Sequence, residues 1–157
     1  MDNHFLATAN NIGLMPKLTG AATDVLLGTG AFGAVPGIVT LASGVYTPTR
    51  SAEANVDANV TPSEAQYLRV GNTATVSGRF TADPTLTATA TSFELTLPVS
   101  SNIGAVEDAA GVAFCGAIAG MGAEITGSVA NNTAVFSWVS SDITSQAWSY
   151  TYSYQVI

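Results

Sequence analysis

Residues 148–157 read WSYTYSYQVI, and the alternation in that stretch decides the fold class. Trp148, Tyr150, Tyr152, Tyr154 and Val156 share one face, and Ser149, Thr151, Ser153 and Gln155 share the other. Successive side chains of a β-strand point to opposite faces, whereas a helix would spread these large residues around its circumference. The stretch is therefore a strand with one aromatic, buried face.

Working back along the chain, residues 44–157 keep this character: short β segments divided by turn residues every ten or so positions, the pattern of a sandwich or barrel. In SFELTLPV (92–99), Phe93, Leu95 and Leu97 are expected inward and Glu94 and Thr96 outward. AQYLRVGNTATVSGRF (65–80) reads as a hairpin turning at Gly71-Asn72. GVAFCGAIAG and GAEITGSVANNTAVFSWVS supply further strands, with a turn at Asn131-Asn132. Pro48 marks an edge strand, and TPSEAQ (61–66) allows at most one helical turn. The fold expected is all-β, an antiparallel β-sandwich of jelly-roll type over residues 44–157, preceded by an extended N-terminal arm, residues 1–43.

That arm has no sustained period. Its apolar clusters are separated by Asn, Gly, Pro and Thr, and cannot alone offset the entropy of ordering the segment. Phe5, Leu6, Leu14, Met15, Leu26, Leu27 and Phe32 are the side chains expected to bury against a partner.

Composition agrees with a partner. The 157 residues are 47% hydrophobic but only 10% charged, against roughly 25% charged in ordinary soluble domains. Mean hydropathy is +0.33, yet no run of about 18 apolar residues suggests a membrane span. Neutral surface covered by other chains accounts for both numbers. Net charge is −7, and Lys17, Arg50, Arg69 and Arg79 are scattered. Nucleic-acid binding needs clustered cations, so neither a nucleic acid nor a membrane is expected as partner.

LGTGAFGAV (27–35) matches G-x-G-x-x-G, the pattern of dinucleotide-binding turns and kinase glycine loops. A dinucleotide turn needs a helix after the third glycine, but Pro36-Gly37 follows almost at once. A kinase needs a later lysine, and none follows Lys17. His4 is the one histidine, so a Ser/His or Cys/His pair would have to recruit it from the arm, and with Cys115 the one cysteine no zinc ligand set is present. Glu107-Asp108 reads as a solvated loop, and Cys115 as a small buried hydrophobe. No catalytic residue, cofactor or metal is expected. The aromatics Phe136, Trp138, Trp148, Tyr150, Tyr152 and Tyr154 are assigned to a core or a subunit interface, a glycan platform being the sharper alternative.

Tyr46-Thr47-Pro48-Thr49, the hairpin Gln66–Asn72, Leu97-Pro98 and the terminal YTYSYQVI together resemble a β-sandwich module of small virion proteins of tailed bacteriophages. LLGTGAFGAVPG is similar to glycine-and-aromatic connecting elements of phage fibre proteins. The resemblance implies a homotrimer without enzymatic activity, located on the virion. A capsid decoration (cement) protein is the favoured form, binding the major capsid protein on the outer capsid surface through its arm. A fibre or receptor-binding module that grips host-surface glycan is the alternative.

Overall fold

The computed structural model describes residues 24–26, 32–34, 40–57 and 60–157. The chain divides into two units, residues 1–39 and 40–157. In the first, β1 (Asp24–Leu26) pairs antiparallel with β2 (Phe32–Ala34), with Val25 opposite Gly33 and Leu26 opposite Phe32.

The second unit is all-β and antiparallel. Its strands are β3 (Leu41–Tyr46), β4 (Arg50–Ala54), β5 (Thr61–Pro62), β6 (Ala65–Val70), β7 (Thr73–Ala82), β8 (Ala90–Thr96), β9 (Ala109–Cys115), β10 (Gly122–Ser128), β11 (Thr133–Val139) and β12 (Gln146–Gln155). They form one sheet in the order β3-β6-β7-β12-β9-β10-β11-β8-β4, with β5 beside β7. The sheet begins at Leu41, so residues 41–43, grouped by sequence with the arm, belong to the β domain. Residues 61–66 are extended, with β5 and the start of β6 in place of a helical turn.

The sheet must curl. β3 and β4 are consecutive in sequence, yet they occupy opposite edges. Thr49 already bonds Thr96 at the end of β8: its N–H donates to the Thr96 side-chain Oγ1 at 2.9 Å, and its carbonyl accepts the Thr96 N–H at 3.0 Å. Three links of extended chain from Tyr46 to Thr49 reach about 11 Å, close to the roughly 10 Å between packed sheets. The two edges are thus stacked one over the other, which folds the sheet into a sandwich.

β12 is the centre of the first layer, between β7 and β9. Trp148, Tyr150, Tyr152 and Tyr154 are all buried, and the intervening residues face outward. They meet the second layer across the core. Phe80 of β7 packs edge-on against Phe93 of β8 at 4.9 Å and Phe136 of β11 at 5.5 Å. Phe136 in turn meets Tyr150 edge-on at 5.2 Å. Edge-to-face contacts of this kind suit the ring quadrupole and add to the burial of large apolar area. The hairpin β6–β7 turns at Gly71-Asn72, with Val70 opposite Thr73 and Gly71 at φ 62°. The β10–β11 connection spans residues 129–132, with Asn132 at φ 56° and its N–H on the Ser128 carbonyl.

One inward–outward assignment reverses. Phe93 and Leu95 are buried as expected, and Leu97 packs partly against the core. Glu94, expected to face solvent, is 8% exposed. The turn end of the β10–β11 hairpin supplies three donors to it: Ser128 Oγ at the end of β10 (3.1 Å), Asn131 Nδ2 of the connection (2.9 Å) and Thr133 Oγ1 at the start of β11 (2.6 Å). A buried carboxylate is tolerated because its lone pairs are occupied. Thr96 remains exposed.

Candidate interaction surface

The residues expected to carry function separate into three groups. Phe5, Leu6, Leu14, Met15 and Leu27 lie outside the described residues. Leu26 and Phe32 are opposite one another in the β1–β2 pair. Gly33, the third glycine of the G-x-G-x-x-G pattern, lies within β2 opposite Val25, where a dinucleotide turn would start a helix. Phe136, Trp138, Trp148, Tyr150, Tyr152 and Tyr154 are at most 7% exposed and form the core of a single chain. Trp138 and Trp148 pack on each other at 5.1 Å, so neither presents a free face to a sugar.

The tyrosines of β12 face a largely apolar interior. Tyr154 Oη accepts from the Val99 N–H (3.0 Å) and donates to the Val99 carbonyl (2.7 Å), which ties the segment after β8 to the first layer. Burial pushes the Tyr154 phenol up to about 12. The same desolvation raises Tyr46, Tyr150 and Tyr152 above their usual value of 10. Tyr150 Oη and Trp138 Nε1 are buried without a hydrogen-bond partner.

Asp108 and Cys115 are held within the fold. Asp108 closes a short 3-10 turn (Val106–Asp108) and accepts from the N–H groups of Gly104 (2.8 Å) and Ala105 (2.9 Å). Cys115 is 8% exposed. Among the described residues no three His, Cys, Asp or Glu side chains converge as a metal site, and no helix is long and apolar enough to cross a membrane.

What the surface does offer is apolar and lies at one edge. On the outer face of β3 and β6, Leu41 is 71% exposed, Val45 56%, Leu68 52% and Val70 46%. Leu41 sits opposite Val70, Ser43 opposite Leu68 and Val45 opposite Gln66, so the four apolar side chains form one cluster with no charge in it. Sequence reading missed this cluster, although its signal was present. AQYLRV alternates, but Tyr67 and Arg69 occupy the inward register, which sends Leu68 and Val70 outward. A second exposed apolar pair, Val112 and Phe114, faces outward from β9.

The two sheet edges differ. β4 carries a register shift between Ser51 and Ala54, positive φ at Ala52 (49°), and the Arg50–Glu53 ion pair. Bulges and charges of this kind block strand addition. β3, LASGVY, pairs with β6 in unbroken register and has neither charge nor proline. No family model, curated protein or solved structure matches the chain.

Proposed function

We propose that this chain is a non-enzymatic structural component of a bacteriophage virion, a head decoration protein whose N-terminal segment attaches it to the major capsid protein. The observation that carries the reading is the division at residues 39 and 40. The aromatic core lies within residues 40–157, and the apolar N-terminal segment is read as the attachment element. The low charge and the virion-module resemblance of residues 44–157 support the same role, and the resemblance implies three copies per assembly. In the fibre alternative the protein would grip host glycan, but the two tryptophans best suited to that are core residues.

Copy number tests the proposal. Quantitative mass spectrometry of purified particles of the virus that encodes the chain is expected to find it at a number comparable to the capsid lattice sites. A few copies per particle would assign it to a fibre, and absence from the particle would overturn the virion role. Removing residues 1–39 is expected to abolish capsid binding while the remaining domain stays folded.

A further inference from the structure

We infer that two copies of this chain join edge to edge through β3, extending the sheet across a two-fold axis. The backbone supplies the first argument. Gly71 N–H donates to the Thr40 carbonyl at 2.7 Å. Hydrogen-bonding direction alternates along an antiparallel strand, so Thr40, Ala42, Gly44 and Tyr46 address β6. Leu41, Ser43 and Val45 therefore turn their N–H and C=O groups to the open edge. Among the described residues β6 is the sole strand partner of β3.

The side chains supply the second. Leu41, Ser43 and Val45 are also the residues whose side chains face outward with Leu68 and Val70. A two-fold centred on Ser43 sets Ser43 against Ser43 of the second copy, and Leu41 against Val45 of the second copy, twice. All three pairs are then of the hydrogen-bonded kind, and apolar meets apolar on a single face. A register shifted by one residue would place outward side chains against inward ones; a shift by two would oppose Ser43 and Val45 and lose the apolar match.

The third argument is charge. Two copies each carrying −7 repel, but the outer faces of β3 and β6 hold only Leu41, Ser43, Val45, Gln66, Leu68 and Val70. The blocked β4 edge excludes a head-to-tail ring made by adding β3 of one copy to β4 of the next. The pairing goes beyond the virion proposal and does not depend on it. It also fixes parity: the assembly contains an even number of copies, such as a dimer or two trimers joined by two-folds.

Native mass spectrometry of the full chain, with two kinds of variant, tests this. Ser43→Pro removes an outward N–H and no intrachain one, and is expected to halve the mass while circular dichroism and melting stay near wild type. Val45→Lys places a charge on the same edge and gives the same reading should the proline variant fail to fold. In a Cys115→Ala background, Ser43→Cys is expected to give a disulfide-linked pair, since hydrogen-bonded partners lie about 5.5 Å apart at Cα. Leu41→Cys is expected to give none, its two copies being about 13 Å apart in this register. An odd-numbered or monomeric wild type, a mass unchanged by both edge variants, or cross-linking at position 41 rather than 43 would overturn the pairing. None of these outcomes bears on copy number in the virion, so the two proposals fail separately.

Discussion

Tyr46 and Tyr152 share a hydrogen bond across the core, Oη to Oη at 3.3 Å. Tyr46 also donates to the Thr96 carbonyl at 3.3 Å, so Tyr152 is the donor between the two phenols. The pair links edge strand β3 and central strand β12 to the end of β8 in the opposite layer. Loss of either phenolic proton would leave a buried anion beside another phenol oxygen.

The fold should therefore fail in alkali. An unfolded tyrosine ionises near pH 10, whereas burial raises Tyr46, Tyr150, Tyr152 and Tyr154 in the folded chain, Tyr154 to about 12. As pH rises the unfolded state loses protons first. The stabilisation is complete below about pH 10 and is lost as pH climbs through the folded values. The urea midpoint is expected to be insensitive to these groups up to that point and to fall steeply above it, with tyrosinate absorbance appearing together with unfolding. Ionisation of these four tyrosines near pH 10 in a chain that stays folded would contradict this.

Glu94→Gln is expected to destabilise by about 2 kcal/mol, because the new amide group turns donors toward Ser128, Asn131 and Thr133 and strands at least one of them. Glu53→Gln makes the same chemical change at a partly exposed ion pair and should move stability by no more than about 0.5 kcal/mol. Equal urea midpoints for the two variants would show that the Glu94 network contributes nothing beyond a surface contact.

Two glycines let neighbouring strands of the first layer approach. A Cβ on Gly111 would lie 2.5 Å from the Tyr152 Cα of the adjacent strand, against backbone that cannot yield. A Cβ on Gly78 would lie 2.5 Å from Tyr150 Oη and 2.8 Å from Ala65 Cβ. Overpacking of this kind costs about 1–3 kcal/mol, so Gly111→Ala and Gly78→Ala should both lower the melting temperature. Gly120→Ala meets no atom within 4 Å, and only its φ of 80° opposes it. Should Gly111→Ala melt with the wild type, β9 and β12 must be able to move apart without cost.

Sequence period revealed the strands whose two faces differ in polarity. WSYTYSYQVI declares its buried face because aromatics alternate with Ser and Thr, and the structure buries each of those aromatics. Glu94 was misread for the same reason: alternation assigns a charge to solvent, and only the chain fold brings Ser128, Asn131 and Thr133 over it. Pro48 announces an edge strand, and β3 and β4 on either side of it are the two sheet edges; what LASGVY hides is which of its faces is outward, because neither face is charged. Its outward side chains become visible only through the pairing with β6. The switch from one sheet edge to the other within Thr47-Pro48-Thr49 has no local signature beyond the proline, which is buried in the crossing.

Where the β domain begins is a question of stability that truncation answers. Leu41, Ala42 and Ser43 pair with Val70, Arg69 and Leu68, and the Thr40 carbonyl accepts the Gly71 N–H that caps the β6–β7 turn. A chain starting at residue 44 loses those partners, frays the rest of β3 and leaves β6 as a new edge with Leu68 and Val70 exposed beside it. Ladder hydrogen bonds contribute about 1 kcal/mol each net, so residues 44–157 should be about 2 kcal/mol less stable than residues 40–157 and more prone to aggregate. The 40–157 chain keeps every strand of the curled sheet and should unfold at the same urea midpoint as the full chain. If both truncations unfold together, β3 is not part of the cooperative unit. If 40–157 is itself destabilised, residues 1–39 contribute to the core, and their assignment as a dispensable attachment segment fails.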